Sequence, residues 1–371
     1  MDPHSAIMDG SRVKPRLTQK LRMSPTRYEP IARLAAGGMA EVWKGRAIFQ
    51  DGGSHPVAIK RVLPHLATED MYRSMFEDEA RLGMVLRHEN VVRVYDARHV
   101  GGTYIMIMEL VDGTSLKGLL DVAHARGAPM PVPSALYVGW QLAKALEYAH
   151  SATVDGKPLG IIHRDVSPHN LLLGRNGDVK LADFGLADAS VHSTHLGEGM
   201  LGGKLGYLAP EMIRDEASTS QIDIFALGIV LWEMLCGRRL FQGATDAETV
   251  QAVARCDVPR ASQFNRHVTD DLEELLRAIL APDPRKRIAS AAECAGRLEV
   301  LIHRIDPDVS QRDVALLVGL HLATQKDKSS VPDAVAELLA QELALFSQQG
   351  DGGNLLELGA QALDPDSFFT G

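Results

Sequence analysis

The chain has 371 residues, of which 45% are hydrophobic, and a formal net charge of −9. Its length exceeds that of one small domain, and its apolar content is ordinary for a folded globular protein. The acidic balance argues against a nucleic-acid partner, and the longest apolar runs fall short of the roughly 20 residues of a membrane-spanning helix, so no transmembrane segment is expected.

The three cysteines, Cys236, Cys256 and Cys294, lie far apart and form no metal-binding spacing. An odd number of dispersed cysteines is typical of reduced thiols rather than of a disulfide framework. No signal peptide is apparent, because no apolar core follows the basic residues at the N-terminus. We therefore expect a cytoplasmic protein.

The first part of the chain predicts a flexible arm followed by a β-rich lobe. Residues 1–27 are polar and carry six Lys or Arg against two Asp, which indicates a flexible basic arm. Residues 28–111 show strand-like patterns separated by Gly-rich turns, with one amphipathic helix between the third and fourth strands. The strands are predicted at 31–34, 41–47, 56–62, 91–98 and 103–110, and the helix at 69–86.

Helical periodicity dominates after Asp112-Gly113, so residues 112–303 predict a larger, mostly helical lobe. Its helices are predicted at 115–126, 133–151, 220–236, 246–256, 270–281 and 290–304. Two short strands flank the Asn176-Gly177 turn. Residues 304–371 predict a helical extension, with helices at 310–325 and 332–348, and an acidic flexible tail. These helices either cap the large lobe or bind a protein partner.

Two polar segments in the larger lobe carry the strongest chemical signal. The first is His163-Arg164-Asp165 followed by Asn170, and the second, Asp183-Phe184-Gly185, begins 13 residues after Asn170. Together they supply a carboxylate beside an acceptor hydroxyl, and an amide and a second carboxylate that suit Mg²⁺. Turn-forming residues alone do not account for these separations, so the pattern favours phosphoryl transfer from ATP.

With these segments, and with Val57-Ala58-Ile59-Lys60 and Ala209-Pro210-Glu211, the chain resembles the eukaryotic-like (Hanks-type) bacterial serine/threonine protein kinases of soluble form. The resemblance covers residues 28–303. It implies an α+β, two-lobed protein kinase fold, with a small five-stranded antiparallel lobe and a large helical lobe. It also implies ATP and Mg²⁺ as cofactors, with Mn²⁺ as an alternative, a protein substrate, and autophosphorylation in intracellular signalling.

The resemblance assigns a role to each residue of the site. Asp165 would accept the proton of the acceptor hydroxyl, and Asn170 and Asp183 would hold the metal. Lys60 would bind the nucleotide phosphates, with Glu79 as its partner; Glu77 and Asp78 are neighbours, but a helix lets only one of the three face the lysine. The implied nucleotide-binding residues are Ala35, Ala36, Gly37, Gly38, Met39, Ala40, Val42, Ala58, Lys60, Glu79, Met108, Glu109, Val111 and Leu172.

The phosphate-covering loop departs from the family pattern. Two of the three glycines of that pattern are alanine here, at Ala35 and Ala40, and Gly37 is kept. Alanine has the smallest Cβ, so we expect the loop still to close over ATP. The altered loop is the one feature that favours a different class of protein, a pseudokinase that serves as a scaffold.

Two further departures concern the acceptor. Serine/threonine kinases usually have lysine at the position of Ser167 and threonine at that of Lys204. We expect Lys204 to supply the positive charge that Ser167 cannot. These departures at Ser167 and Lys204 leave tyrosine or dual specificity as an alternative to serine/threonine specificity.

Other residues are expected to regulate or brace the site. Arg164 would pair with a phosphorylated Ser190, Ser193 or Thr194, or with Glu198 as a phosphate mimic. Asp223 would hold the backbone of the catalytic loop. Arg287 would pair with Glu211 in the interior.

Overall fold

The computed structural model describes residues 25–184, 204–325 and 333–348. The small lobe is a five-stranded antiparallel sheet in the order β1–β2–β3–β5–β4. Its strands are β1 (Arg27–Ala36), β2 (Ala40–Ile48), β3 (Ser54–Val62), β4 (Val94–Val100) and β5 (Thr103–Glu109), and helix α1 (Asp70–Val85) packs against β4 and β5.

The predicted bounds of two strands are wrong. The strand predicted at 31–34 runs from Arg27 to Ala36, because it pairs with β2 along this whole length. The strand predicted at 91–98 begins at Val94, because the residues before it are tied to the large lobe. The amide of Val92 donates to the carbonyl of Leu181, and the amide of Leu181 donates to the carbonyl of Asn90. These two bonds connect the two lobes instead of extending the sheet.

The small-lobe sheet has buried side chains on both of its faces, although most of β1 is exposed. Side chains alternate along each strand, so neighbouring residues serve opposite faces. On the inner face, Ala58, Met106 and Met108 pack in one cluster with α1. On the outer face, Trp43, Ile59, Ile105 and Ile107 form a separate cluster.

The large lobe is built on helices and has its own core. Its helices are α2 (Leu116–Arg126), α3 (Val132–His150), α4 (Pro210–Ile213), α5 (Gln221–Cys236), α6 (Asp246–Arg255), α7 (Asp270–Ile279) and α8 (Ala291–Ile305). Helix α5 is buried along nearly its whole length, since α3, α7 and other elements surround it. Such a helix is apolar all round rather than on one face.

Short strands complete this lobe and position the site. They are β6 (Gly113–Ser115), β7 (Thr153–Val154), β8 (Lys157–Pro158), β9 (Leu171–Gly174) and β10 (Val179–Leu181). The β9–β10 hairpin confirms the predicted turn, in which Gly177 has a φ of 87°, a value that favours glycine. Strands β6, β7 and β8 and the single turn of α4 are too short for periodicity to reveal.

The two C-terminal helices pack on different lobes. Helix α9 (Gln311–Thr324) lies against α2, α3, β6 and β9 of the large lobe. Helix α10 (Asp333–Gln348) lies against β1 and β4, and its Leu339, Leu343 and Phe346 complete the outer-face cluster of the small lobe. The predicted two-lobed α+β fold is thus confirmed, with an added helix over the sheet.

None of the helices in the described ranges combines the length and the apolar character that crossing a membrane requires.

Candidate active site

Lys60 lies at the centre of a buried ion-pair cluster between the lobes. Strand β3 directs it to the inner face, where its Nζ lies 2.6 Å from Oε1 of Glu79 and 3.0 Å from Oδ1 of Asp183. Lys60 and Glu79 are 7% and 3% exposed. The cluster therefore joins β3, α1 and the segment after β10, three parts of the chain that are distant in sequence.

Charge in this cluster is uneven, because two carboxylates share one ammonium. Burial alone would lower the pKa of Lys60, but Asp183 and Glu79 outweigh it and raise that pKa. Burial would raise the pKa of Asp183, yet the Lys60 ammonium lowers it to about 2. Burial, reinforced by Asp183, raises the pKa of Glu79 against the pull of Lys60. Lys60 and Asp183 are therefore charged at neutral pH.

The catalytic loop folds around Asp165 and Asn170. The Asn170 amide nitrogen donates to the backbone carbonyl of Asp165 at 2.9 Å and to its Oδ2 at 2.8 Å. The backbone carbonyl of Asn170 accepts from the amide of Ala182, at 2.8 Å, which brings Asn170 beside Asp183. Because the side-chain nitrogen of Asn170 donates to Asp165, the side-chain oxygen of Asn170 can bind another ligand.

Asp223 holds the backbone of the catalytic loop through hydrogen bonds. Its carboxylate accepts the backbone amides of His163 and Arg164, each at 2.8 Å, and lies 2.8 Å from Nε2 of His150. Burial would raise the pKa of Asp223, but these hydrogen bonds and His150 lower it. Arg164 has a φ of 65°, a left-handed conformation that the two amide bonds hold in place. The structure thus gives Asp223 the position that the sequence predicted.

His163 links the loop to Asp183. Its Nδ1 accepts the amide of Asp165 at 3.2 Å, and its Nε2 faces the carbonyl of Ala182 at 3.0 Å. Phe184 packs edge-on against the imidazole, with ring centroids 4.5 Å apart. Asp183 has a φ of 61°, so its position depends on this support. The sequence pattern predicts no separate role for His163.

The predicted nucleotide-binding residues line the inner side of the small lobe. Ala58 and Met108 are buried and face each other across β3 and β5, and Val42, Val111 and Leu172 pack partly buried in the same cluster. Glu109 follows Met108 at the end of β5, and its side chain lies 3.0 Å from Nζ of Lys180. Apolar side chains of β2, β3, β5 and β9 thus lie in one cluster on this side of the lobe.

The phosphate-covering loop joins β1 to β2 at the edge of this cluster. Ala35 pairs with Val42 in the sheet and Ala36 with Glu41, so the loop itself consists of Gly37, Gly38 and Met39. The Gly37 amide donates to the carbonyl of Ala40, at 2.9 Å. The side of the loop is exposed, and a Cβ added at Gly37 would make only ordinary contact, at 3.5 Å. The alanines at positions 35, 36 and 40 therefore lie in the paired strands that flank the loop.

Lys204 extends the site from the far end of the activation segment. Its Nζ lies 2.5 Å from Oδ2 of Asp165. Ser167 is 1% exposed, and its hydroxyl finds no hydrogen-bond partner within the described ranges. The predicted phosphorylation positions Ser190, Ser193 and Thr194, like Glu198, lie outside the described residues.

The base of the activation segment is anchored in the large lobe. Arg287 makes two bonds to the Glu211 carboxylate, at 2.7 and 3.1 Å, and its own side chain is fully buried. The Tyr207 hydroxyl donates to Glu233 at 2.7 Å, a buried contact that the sequence pattern does not predict. Losing one member of the Glu211–Arg287 pair would leave a buried charge and cost about 3–5 kcal/mol.

The oxygen atoms of Asn170 and Asp183 suit a magnesium ion that also binds phosphate. Asp183 is ionised. The side-chain oxygen of Asn170 lies on the other side of the amide group from the nitrogen that donates to Asp165. Within the described ranges, no group of three or more His, Cys, Asp or Glu side chains forms a complete metal cage. Few protein ligands are typical of Mg²⁺ held largely by nucleotide phosphates and water. The donor set therefore fits Mg²⁺.

The protein kinase domain family matches residues 28–297. The chain is 34% identical over 276 residues to tyrosine-protein kinase MasK of Myxococcus xanthus, covering 74% of this chain and 43% of MasK. It is 32% identical over 280 residues to serine/threonine-protein kinase PknL of Mycobacterium tuberculosis, covering 76% of this chain and 67% of PknL.

A third relative is serine/threonine-protein kinase PrkC of Bacillus subtilis, 32% identical over 267 residues, or 72% of this chain and 39% of PrkC. The chain thus spans less than half of MasK and of PrkC. The chain belongs to the protein kinase family, and its relatives include bacterial Hanks-type kinases.

Proposed function

We propose that this chain is an active protein kinase that transfers the γ-phosphate of ATP to serine or threonine hydroxyls of a protein substrate. The observation that carries the proposal is the cluster in which Lys60 contacts both Glu79 and Asp183. In protein kinases, the lysine–glutamate pair and the metal-binding aspartate must both be in position for transfer.

The residues divide the reaction among them. Lys60 binds the α- and β-phosphates, and Asp165 orients the acceptor hydroxyl and accepts its proton. The hydroxyl oxygen forms a bond to the γ-phosphorus, the bond from that phosphorus to the bridging oxygen breaks, and ADP leaves. Mg²⁺ on Asn170 and Asp183 would neutralise charge on the phosphates.

Fewer observations bear on whether the acceptor is serine, threonine or tyrosine than on kinase activity itself. The relatives named above include two serine/threonine kinases and one tyrosine kinase, MasK. The exchange at Ser167 and Lys204, together with MasK, supports tyrosine or dual specificity as the second candidate. A pseudokinase scaffold is disfavoured because Lys60, Glu79, Asp165, Asn170 and Asp183 are all retained in contact with one another or with a shared neighbour.

We also propose that the protein acts in the cytoplasm. Use of ATP and the three free, buried cysteines suit the cytoplasm. Autophosphorylation within residues 188–198 and a signalling role stay predictions, as do the choice between Mg²⁺ and Mn²⁺ and a protein partner for residues 304–371.

Incubation of the full chain with labelled ATP and Mg²⁺ tests the proposal directly. We expect label on the chain itself and on a generic protein substrate, and its near-complete loss in Asp165→Asn. Phosphoamino-acid analysis should recover phosphoserine or phosphothreonine. Phosphotyrosine would instead support the second candidate, and equal label in the wild type and Asp165→Asn would refute catalysis by this site.

A further inference from the structure

Asp165, the proposed proton acceptor, has an unusual set of partners. Its Oδ2 accepts from Lys204 at 2.5 Å and from the Asn170 amide at 2.8 Å. Within the part of the chain that the structure describes, Oδ1 accepts no hydrogen bond from a side chain. The two contacts on one oxygen therefore leave the other oxygen for the acceptor hydroxyl.

Cationic charge at this end of the cleft comes from the end of the activation segment, at Lys204. Lys60 is engaged with Glu79 and Asp183 on the small-lobe side. Ser167, two residues after Asp165, is buried and neutral, and its short side chain carries no charge to the transferring group. Among the ion pairs of the described ranges, Asp165 is matched with Lys204.

We propose that Lys204 is a catalytic residue, which contacts both the Asp165 carboxylate and the transferring phosphoryl group. This inference rests on the proposed kinase function. Negative charge on the phosphoryl oxygens must be offset as the bond to the leaving oxygen breaks, and a preorganised cation does this best. The Lys204 side chain is 37% exposed, so its amine can move from Oδ2 towards a phosphate oxygen.

The backbone around Lys204 is held by contacts that do not involve its side chain, so the side chain can be substituted without disturbing them. Lys204 precedes a 3₁₀ turn at Leu205–Tyr207, and its carbonyl accepts the amide of Tyr207 at 2.9 Å. Tyr207 is itself fixed by Glu233. The backbone therefore stays anchored when the ammonium is removed, and a change in rate reports on the charge.

The test compares Lys204→Met, which keeps length without charge, with Lys204→Arg, which keeps charge. We expect Lys204→Met to lower kcat on the order of 10- to 100-fold, at or below the roughly 10²- to 10³-fold typical of one enclosed electrostatic group. The KM for ATP should change by less than about threefold, because the charge acts in the transition state. Lys204→Arg should recover most of the rate. Lys157→Met, an exposed lysine of β8, is the matched control and should leave kcat unchanged.

Several outcomes would overturn the inference. An unchanged kcat in Lys204→Met would show that the charge is dispensable, and a raised kcat would show that the ion pair restrains Asp165. Equal losses in the Met and Arg variants would point to shape instead of charge. If the wild type transfers phosphate, Asp165→Asn does not, and Lys204→Met equals the wild type, the inference fails while the proposed function stands. Absence of transfer by the wild type would refute both.

Discussion

Lys60 and Arg61 are neighbours in sequence that serve opposite faces of strand β3. Lys60 faces the cleft, where Glu79 and Asp183 meet it. Arg61 faces the outer side of the sheet, where it contacts Glu41 at 3.0 Å and Glu342 at 2.5 Å. Both cations are nearly inaccessible to water, so each depends on its carboxylates. One strand thus couples the proposed catalytic cluster to the C-terminal helix behind it.

Glu79→Gln should impair phosphoryl transfer by releasing Lys60 from α1. Glutamine preserves the shape of Glu79 but replaces its carboxyl group with an amide, so Asp183 would be the remaining acidic partner of the ammonium. A charge-assisted hydrogen bond worth about 1.5–3 kcal/mol corresponds to a roughly 10- to 100-fold fall in kcat/KM for ATP. Steady-state kinetics on the purified full chain measure this change.

Glu77→Gln supplies the matched control for that prediction. Glu77 lies two positions earlier on α1 and lies 3.6 Å from Arg81, and both side chains are half-buried. A single pair that keeps contact with solvent contributes little, about 0–1 kcal/mol, so kcat/KM should stay near that of the wild type. Similar losses in both variants would contradict the special role of Glu79.

Residue-level prediction from sequence succeeded where motif and geometry agreed. Glu77, Asp78 and Glu79 differ by about 100° of helical rotation each, so spacing could select one of them, and the structure places Glu79 against Lys60. The Lys204–Asp165 contact was expected from position. The Tyr207–Glu233 contact was not, because no spacing rule relates a turn to the middle of a later helix.

At the scale of elements, the outer face of the small-lobe sheet depends on α10. Leu339, Leu343 and Phe346 are essentially inaccessible to water, and the Phe346 ring packs edge-on against Tyr28 at 5.5 Å. The guanidinium of Arg98 donates to the Phe346 carbonyl at 3.0 Å, near the end of the helix. Apolar burial, a buried ion pair and a cap on the last turn therefore act together.

Sequence patterns indicated the strand and the helix that form this interface, but not that the two elements pack together. Residues 104–108 form a continuous apolar run, which is typical of a strand buried on both faces. Residues 332–348 show the apolar face of a helix that must be covered. No local rule pairs the two, since contacts such as that of Arg98 with Phe346 span 248 positions. The elements could thus be predicted, but not where α10 docks.

Glu342→Gln should destabilise the small lobe. Arg61 would keep Glu41 but lose the charge that meets its Nε and Nη2 at 2.5 and 2.6 Å. We expect the free energy of unfolding to fall by about 2–3 kcal/mol, less than the roughly 3–5 kcal/mol of a buried pair with no other partner. Chemical denaturation monitored by tryptophan fluorescence measures it, since Trp43 lies in the same cluster.

Glu337→Gln is the control within the same helix. Glu337 is exposed, so its substitution should change the free energy of unfolding by less than about 0.5 kcal/mol. Equal stability of the two variants would show that the Arg61–Glu342 pair adds nothing beyond surface charge.

At the scale of the whole molecule, the C-terminal extension touches both lobes. Helix α9 is fixed to the large lobe, and Gln311 at its start donates to Asp178 at 2.6 Å. Helix α10 covers the small lobe, and the residues that join the two helices, 326–332, fall outside the described ranges. The matched kinase family ends at residue 297, so the contacts of α9 and α10 with the two lobes lie beyond the matched domain.

A chain that ends at Gln325 should therefore have an unstable small lobe above an intact large lobe. Full burial of three large apolar side chains contributes roughly 5–9 kcal/mol, comparable to the 5–15 kcal/mol or so that stabilises a typical domain. We expect hydrogen exchange to accelerate in β1–β5 but not in α3 or α5, and ATP-dependent activity to fall. A peptide of residues 333–348 added in trans should restore protection and activity, whereas the same peptide with Glu342→Ala should do so weakly. Unchanged exchange in the shortened chain would mean that the sheet holds its outer face without α10, and that the two-lobed domain is a self-sufficient unit.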